Sequence, residues 1–279
     1  MVKSAHSHEA WSVDSRCINC MASRTVAATL IQEKAGRSAF VRQPSTADEV
    51  LAAWRAALVC PTASIHAPGK LRRPAGLYPH ELAQGVYRLG FNARASFGAH
   101  SYFAIVENLR FMIDAPRWAR PLVDWMSDQG GLDHILLTHQ DDVADAQRYA
   151  KHFGARVWIH EGDVSSVPCA TDVMYGWNPQ GPTDAIKVIY VPGHTQGSVM
   201  YLAKGEFLFT GDSLAWDILR SSLQAFPEHC WYDWATQLRS LSRLRAETFS
   251  WVLAGHGGSI TLPPLEMRAQ LDSFISKSK

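Results

Sequence analysis

Four short segments set a His or Asp where an apolar run gives way to a turn: Leu136-Leu137-Thr138-His139-Gln140-Asp141-Asp142, Val191-Pro192-Gly193-His194-Thr195, Phe209-Thr210-Gly211-Asp212-Ser213 and Leu253-Ala254-Gly255-His256-Gly257. Imidazole and carboxylate are ligands for zinc, iron or manganese, and strand ends can bring such ligands together from distant parts of a chain. A shared Asp can bridge two ions. One His alone would be read as a strand-end residue bonded to backbone; four aligned segments point to a metal core of His139, His194, Asp212 and His256. Asp141 and Asp142 join that set, with Asp141 the preferred ligand. They compete with a capping role, since Asp141, Asp142 and Asp145 stand where a helix begins.

The elements that would carry these residues alternate along the chain. Apolar runs predict strands at Gly85–Leu89, Ser101–Val106, Leu109–Ile113, His134–Thr138, Arg156–Ile159, Ile186–Val191, Val199–Leu202, Phe207–Thr210 and Trp251–Leu253. Helices are expected at Arg117–Asp128, Val143–Phe153, Trp231–Ala246 and Pro264–Ser276. Hairpin-like pairs mixed with helical crossovers predict two packed sheets with helices outside, not a doubly wound parallel sheet. The first 68 residues read differently, with helices at Thr25–Lys34 and Thr46–Leu58 and a short strand at Ser38–Arg42. A Pro-, Gly- and Arg-rich stretch follows, so the expected division is a domain over 1–68, a linker over 69–80 and a second domain over 81–279.

Bulk properties narrow the function classes. The chain has 279 residues, 47% hydrophobic and 19% charged, with a net charge of +1. That balance suits a globular fold with a real core and argues against nucleic acid as the main partner. The basic cluster Lys70-Leu71-Arg72-Arg73 reads as a solvated linker. No apolar run is long enough to span a bilayer, and the start of the chain lacks the pattern of a signal peptide. Five cysteines, three of them in the first 60 residues, argue against a disulfide framework and for a reducing, cytoplasmic setting. Cys169 and Cys230 read as structural thiols.

The four segments, in this order, resemble the metallo-β-lactamase superfamily. Gly193-His194-Thr195-Gln196-Gly197-Ser198 and Thr210-Gly211-Asp212 are close to its pattern, and Ser101–Val106 with Phe111–Asp114 is similar to its opening hairpin. The resemblance implies an α+β, four-layered αββα sandwich and a metal-activated water acting on an ester, thioester or lactone, with one or two divalent ions. The first motif departs from it. The family pattern is His-x-His-x-Asp-His, whereas this chain reads His139-Gln140-Asp141-Asp142-Val143-Ala144-Asp145-Ala146. Asp141 or Asp142 would replace imidazole with carboxylate and would orient water or shuttle a proton; Ala146 cannot ligate.

The N-terminal segment resembles a small ferredoxin-like α+β domain of the single-cluster type. Cys17-Ile18-Asn19-Cys20-Met21-Ala22-Ser23 and Cys60-Pro61 follow the C-x₂-C-x₂-C…C-P layout, with Ser23 in the third cysteine position. The resemblance implies an iron–sulfur cluster on Cys17, Cys20 and Cys60, held by an incomplete cysteine set. The leading expectation is therefore a small-molecule metallohydrolase with no membrane or nucleic-acid partner. Two alternatives stand beside it: a degenerate, non-catalytic binding protein, and an iron–sulfur-linked redox protein with a redox partner. His100, His160, Tyr102 and Trp177 are candidates for the pocket wall, and Trp216, Trp231 and Trp234 for an apolar cleft, although core positions are the commoner role for each.

Overall fold

A computed structural model describes residues 9–69 and 71–277. Lys70, part of the basic cluster, lies outside the described residues; its neighbours Arg72 and Arg73 are exposed. Two sheets face each other. The first has seven strands in the spatial order 172–174, 156–160, 134–136, 109–113, 102–106, 86–88 and 80–83. The second has five, in the order 186–190, 199–203, 207–211, 251–254 and 260–261.

Side-chain alternation sorts the strands into layers. Leu136 and Leu253 point between the sheets, where they meet Tyr102, Phe111, Tyr201 and Phe209. Their neighbours Ile135 and Val252 point outward, each to a helix layer, because successive side chains of a strand face opposite ways. Ile135, Leu137 and Val157 pack with Leu122, Met126 and Tyr149 from helices Arg120–Asp128 and Ala146–Phe153. Leu208 and Val252 pack with Leu241, Met267 and Leu271 from helices Trp234–Ser242 and Pro264–Lys277. The result is the expected helix–sheet–sheet–helix sandwich.

The N-terminal region has a core of its own, built on Trp11, Leu30, Ile31, Ala53, Ala56 and Ile65. Strand Ser12–Val13 pairs antiparallel with Ile65–His66, and helix Ala47–Val59 begins in a capping box between Thr46 and Glu49. The helix predicted over Thr25–Lys34 is replaced by a helix at Ala22–Val26 and a strand at Ile31–Lys34. The reason is the turn at Ala35-Gly36, where φ is 52° and 75°. Two left-handed residues in succession make a tight hairpin, which pairs Ile31–Lys34 with Arg37–Phe40. Leu77 and Tyr78, in the stretch expected to be linker, are buried in the core against Leu89 and Phe103. Among the described residues, no helix is long and apolar enough to cross a membrane.

Candidate metal centre

All four segments end at one edge of the sandwich. Strands 207–211 and 251–254 run parallel, with Gly211 in register with Ala254. Asp212 and His256 therefore leave the sheet side by side. The register slips between Phe209 and Gly211, and this bulge re-aims Asp212 toward the site. Gly211 has φ 50°, and a Cβ there would stand 2.4 Å from Thr138 Oγ1, so glycine is required. His139 comes from the opposite sheet, tied across by Val199 N donating to Thr138 O at 2.8 Å.

Asp212 is the centre of the arrangement. Its Oδ2 lies 3.8 Å from His139 Nε2, 3.7 Å from His194 Nε2 and 3.7 Å from His256 Nε2. Donor atoms of His139, His194 and Asp212 all fall within 4.8 Å of one another. Asp141 adds its Oδ2 at 3.5 Å from His194 Nε2 and 3.9 Å from His139 Nε2. Two metal–ligand bonds of about 2.0–2.2 Å meeting at one ion bridge gaps of this size. The donors also lack other partners. Among the described residues, buried His139 Nε2, His194 Nε2, Asp142 Oδ2 and Asp212 Oδ1 make no hydrogen bond. Buried polar atoms without partners are rare, and two of them, the His139 and His194 nitrogens, meet the Asp212 carboxylate, which fits a cation. Asp142 is buried beneath the site, beside Gly255, where a Cβ would lie 2.8 Å from Asp212 Oδ1 and 3.1 Å from Asp142 Oδ2.

Electrostatics follow from burial and crowding. Burial drives His139 down to about 4, and the carboxylates of Asp212 and Asp141 only partly resist. Burial also opposes the imidazolium of His194, yet Asp141 and Asp212 outweigh it and raise that group. For Asp212 burial acts upward, but His256, His139 and His194 together hold the carboxyl below its ordinary range. Asp142 is pushed well up by burial and by the charges of Asp212, Asp114 and Asp141. A metal ion would reverse the last of these, since it would be the largest local charge.

Two carboxylates that the sequence did not single out hold the loops in place. Asp114 accepts from Thr138 N at 2.8 Å and from Thr138 Oγ1 at 2.8 Å, and Thr138 Oγ1 is 2.9 Å from His139 Nδ1. With Thr138 donating to Asp114, its oxygen accepts from Nδ1–H, which leaves His139 Nε2 bare for an ion. Asp163, also buried, accepts from Thr195 Oγ1 at 2.6 Å, Gly197 N at 2.8 Å and Gln140 N at 3.1 Å. It thus ties the His139 loop to the His194 loop. An acidic residue after an apolar strand was the only signal either one carried.

Other expectations end elsewhere. Asp145 stands at the N-cap of helix Ala146–Phe153 but does not cap it; its Oδ2 accepts from Trp118 N at 2.6 Å. Neither Asp141 nor Asp142 caps it either, because Ala144, at φ 36°, delays the helix start past the predicted Val143. His160 stacks on Tyr190 and bonds Gly176 O, and Tyr102 donates to Ala254 O at 2.6 Å. His100 bridges Thr25 Oγ1 and Asn92. Trp177 is exposed on Tyr190, Trp216 packs in the outer core, and Cys230 donates to Gly193 O. Of the tryptophans, Trp231 faces the site, in a cavity of about 740 Å³.

Of the N-terminal cysteines, Cys20 lines that cavity, and Cys60 lines another with Arg16 and Arg117. Cys60 Sγ accepts from Ser64 N at 3.3 Å, and burial raises the Cys20 thiol to about 11. Ser23 is buried with its hydroxyl 3.4 Å from Ser38 Oγ. The site offers three thiols where four thiolates are usual, so the residues fit a four-thiolate cluster incompletely.

Comparisons with known proteins match the two parts of the chain separately. Residues 13–67 match the family model described as the 4Fe-4S single cluster domain of ferredoxin I. A hydroxyacylglutathione hydrolase of Acidiphilium cryptum (strain JF-5) is 35% identical over 88 residues, 30% of this chain and 36% of that protein. The chain thus matches about a third of that relative's length. Among solved structures, the DIM-1 metallo-β-lactamase superposes with a TM-score of 0.53 at 18% identity, over 70% of this chain and 95% of that one. The BLEG-1 B3 metallo-β-lactamase gives 0.50 at 19% identity, over 63% and 93%. At such identities the likeness speaks for the fold. The chain has the metallo-β-lactamase fold, preceded by a ferredoxin-like N-terminal segment.

Proposed function

We propose that this chain is a metal-dependent hydrolase of esters, thioesters or lactones, with His139, His194, Asp212 and His256 as metal ligands and Asp141 and Asp142 completing the set. The observation that carries the reading is the meeting of His139, His194 and Asp212 donor atoms within 4.8 Å, with both imidazole nitrogens buried and without a hydrogen-bond partner. The fold and the partial match to a hydroxyacylglutathione hydrolase support it. A bound divalent ion would supply Lewis acidity, lowering the pKa of water and polarising a carbonyl.

The chain's own residues have separable tasks. Thr138 and Asp114 present His139 by its Nε2. Asp212, within reach of three imidazoles, holds the halves of the site together. Asp141 differs from the other carboxylates in being half-exposed at the cavity. Its interaction with His194 comes first in keeping it ionised, against burial. An ionised, accessible carboxylate beside the reacting carbonyl can orient water and take its proton.

We assign residues 1–68 to the ferredoxin-like domain, 69–80 to the linker and 81–279 to the hydrolase domain. The test is joint. Purified chain should hold about one or two divalent transition-metal ions per molecule and hydrolyse 4-nitrophenyl acetate, and His194→Ala should lose both. A metal-free protein that cannot be loaded, or unchanged hydrolysis in the variant, would overturn the assignment.

A further inference from the structure

The cavity that opens onto the metal centre is not built from the hydrolase fold alone. Asn19, Cys20 and Met21 of the N-terminal segment line it together with Asp141, His194 and His256. The segment is seated firmly. A Cβ at Gly98 would fall 2.7 Å from Cys20 Sγ, so the Cys20 side chain packs against the Gly98 backbone as closely as glycine allows. Thr25 Oγ1 lies 2.8 Å from His100 Nε2, and His100 N donates to Gly255 O at 2.8 Å, one residue before His256.

Three non-glycine residues of this wall adopt left-handed backbone: Asn19 at φ 60°, Met21 at 67° and Phe97 at 45°. Asn tolerates that region, but Met and Phe rarely enter it, and such strain gathers at binding sites. Apolar rings continue the wall. Phe97 lies 6.1 Å from the His256 ring and Trp231 6.3 Å from the His194 ring, and Phe226 is 6.5 Å from His229. Phe97 and Trp231 are more than half exposed, an arrangement that leaves their faces open to a ligand. Among the described residues, no Lys or Arg lines the cavity, whereas three Asp do. Away from the imidazoles and a bound ion, an anionic group on a substrate's acyl chain would find no Lys or Arg there.

Building on the hydrolase reading above, we propose that Met21 is a specificity-determining residue of the cavity. Together with Phe97, Phe226 and Trp231, it selects uncharged esters or lactones bearing an aromatic or bulky apolar acyl group. Water adds to the acyl carbon, the acyl–oxygen bond breaks, and a carboxylic acid and an alcohol leave. Substrates whose acyl group carries an anionic substituent away from the scissile bond are disfavoured.

Three esters of the full, metal-loaded chain's assay separate the possibilities: 4-nitrophenyl phenylacetate, 4-nitrophenyl acetate and the anionic 4-nitrophenyl hemisuccinate. Wild type should prefer the phenylacetyl ester to the hemisuccinate by roughly tenfold or more in kcat/KM, a margin that an apolar subsite can supply. Met21→Ala should raise KM for the phenylacetyl ester about fivefold, with a smaller effect on the acetyl ester. Met21→Arg should narrow or reverse the preference against the hemisuccinate. Phe226→Ala, outside the N-terminal segment and at an ordinary backbone position, should repeat the KM effect if Met21 variants fold poorly. Calorimetric titration with phenylacetamide, which is not turned over, should show weaker binding in Met21→Ala and Phe226→Ala.

Variants that match wild type on all three esters and on phenylacetamide would overturn the proposal, as would a wild-type preference for the hemisuccinate. If wild type hydrolyses none of the esters, the hydrolase reading falls. The cavity wall is then judged by the phenylacetamide titration alone.

Discussion

The Thr138 hydroxyl lies 2.9 Å from His139 Nδ1, so a residue outside the ligand set decides which nitrogen of His139 is free. Its other contact is the Asp114 carboxylate at 2.8 Å, which anchors the pair to the neighbouring strand of the same sheet. Removing the hydroxyl with Thr138→Val should lower metal affinity about tenfold or more, since partners of this kind fix both tautomer and ring orientation. Competition against a chromophoric chelator measures it. An unchanged affinity would mean that the ring is held by packing alone.

Asp114 also predicts how stability depends on pH. Burial lifts its carboxyl to about 8, against the two donors of Thr138. The folded chain therefore keeps a proton that the unfolded chain releases above pH ~4. Its contribution to the stability of metal-free protein falls as pH climbs from about 4 to about 8, by up to about 1.4 kcal/mol per unit. Asp114→Asn removes that dependence. Urea unfolding of both proteins from about pH 5 to about pH 8 should therefore show the difference moving in favour of the variant as pH rises. Parallel curves would place Asp114 in its ordinary ionised state throughout.

Among the carboxylates of the centre, position ranks the expected losses. Asp212 reaches three imidazoles, whereas Asp141 reaches two and is half-exposed. Asp212→Ala should abolish stoichiometric metal, and Asp141→Ala should weaken binding roughly tenfold while lowering kcat. Metal analysis after dialysis, paired with steady-state kinetics, compares them. Equal retention of metal in the two variants would contradict a central Asp212.

Asp163 joins the two histidine loops through three hydrogen bonds and is buried. Asp163→Ala leaves the Gly197 and Gln140 amides without that acceptor, while the Thr195 hydroxyl can turn to Ser198 Oγ, and should cost about 3 kcal/mol of stability. Gly193→Ala should be at least as damaging, because its Cβ would stand 2.2 Å from Gln237 Cβ. Chemical denaturation of both variants gives the comparison. A loss within about 0.5 kcal/mol would show that the loops relax around the change.

Cys17, Cys20 and Cys60 are free thiols, and Ser23 holds the third cysteine position of the layout. Ser23→Cys supplies the missing fourth thiolate, so anaerobic reconstitution should give higher iron and sulfide content than in wild type, approaching about four irons per chain. Iron content that does not rise would mean that position 23 faces Ser38 in the folded chain whatever its side chain.

The sheets and helices of the sandwich were legible in the sequence because a short apolar run bounded by turns is a local property. Leu109–Ile113 shows it in five residues broken only by Arg110, and Phe207–Gly211 opens with three apolar residues. The four ligand-bearing segments were legible for a related reason: each sits within a few residues of its strand. The helix expected at Thr25–Lys34 failed on two residues, Ala35 and Gly36, whose left-handed backbone turned half of it into a hairpin. The roles of Asp114 and Asp163 were not legible, since each acts on a loop at least 23 residues away. The same holds for Met21, which shares a cavity with His256 only because the N-terminal segment docks on the sandwich. The sequence by itself determined which residue types stand at the strand ends and which faces of each strand are apolar. Tertiary structure alone decided which donor atoms meet at Asp212, which carboxylates support them and what closes the cavity. Those are distances between remote segments, and they exist only once the two sheets have packed.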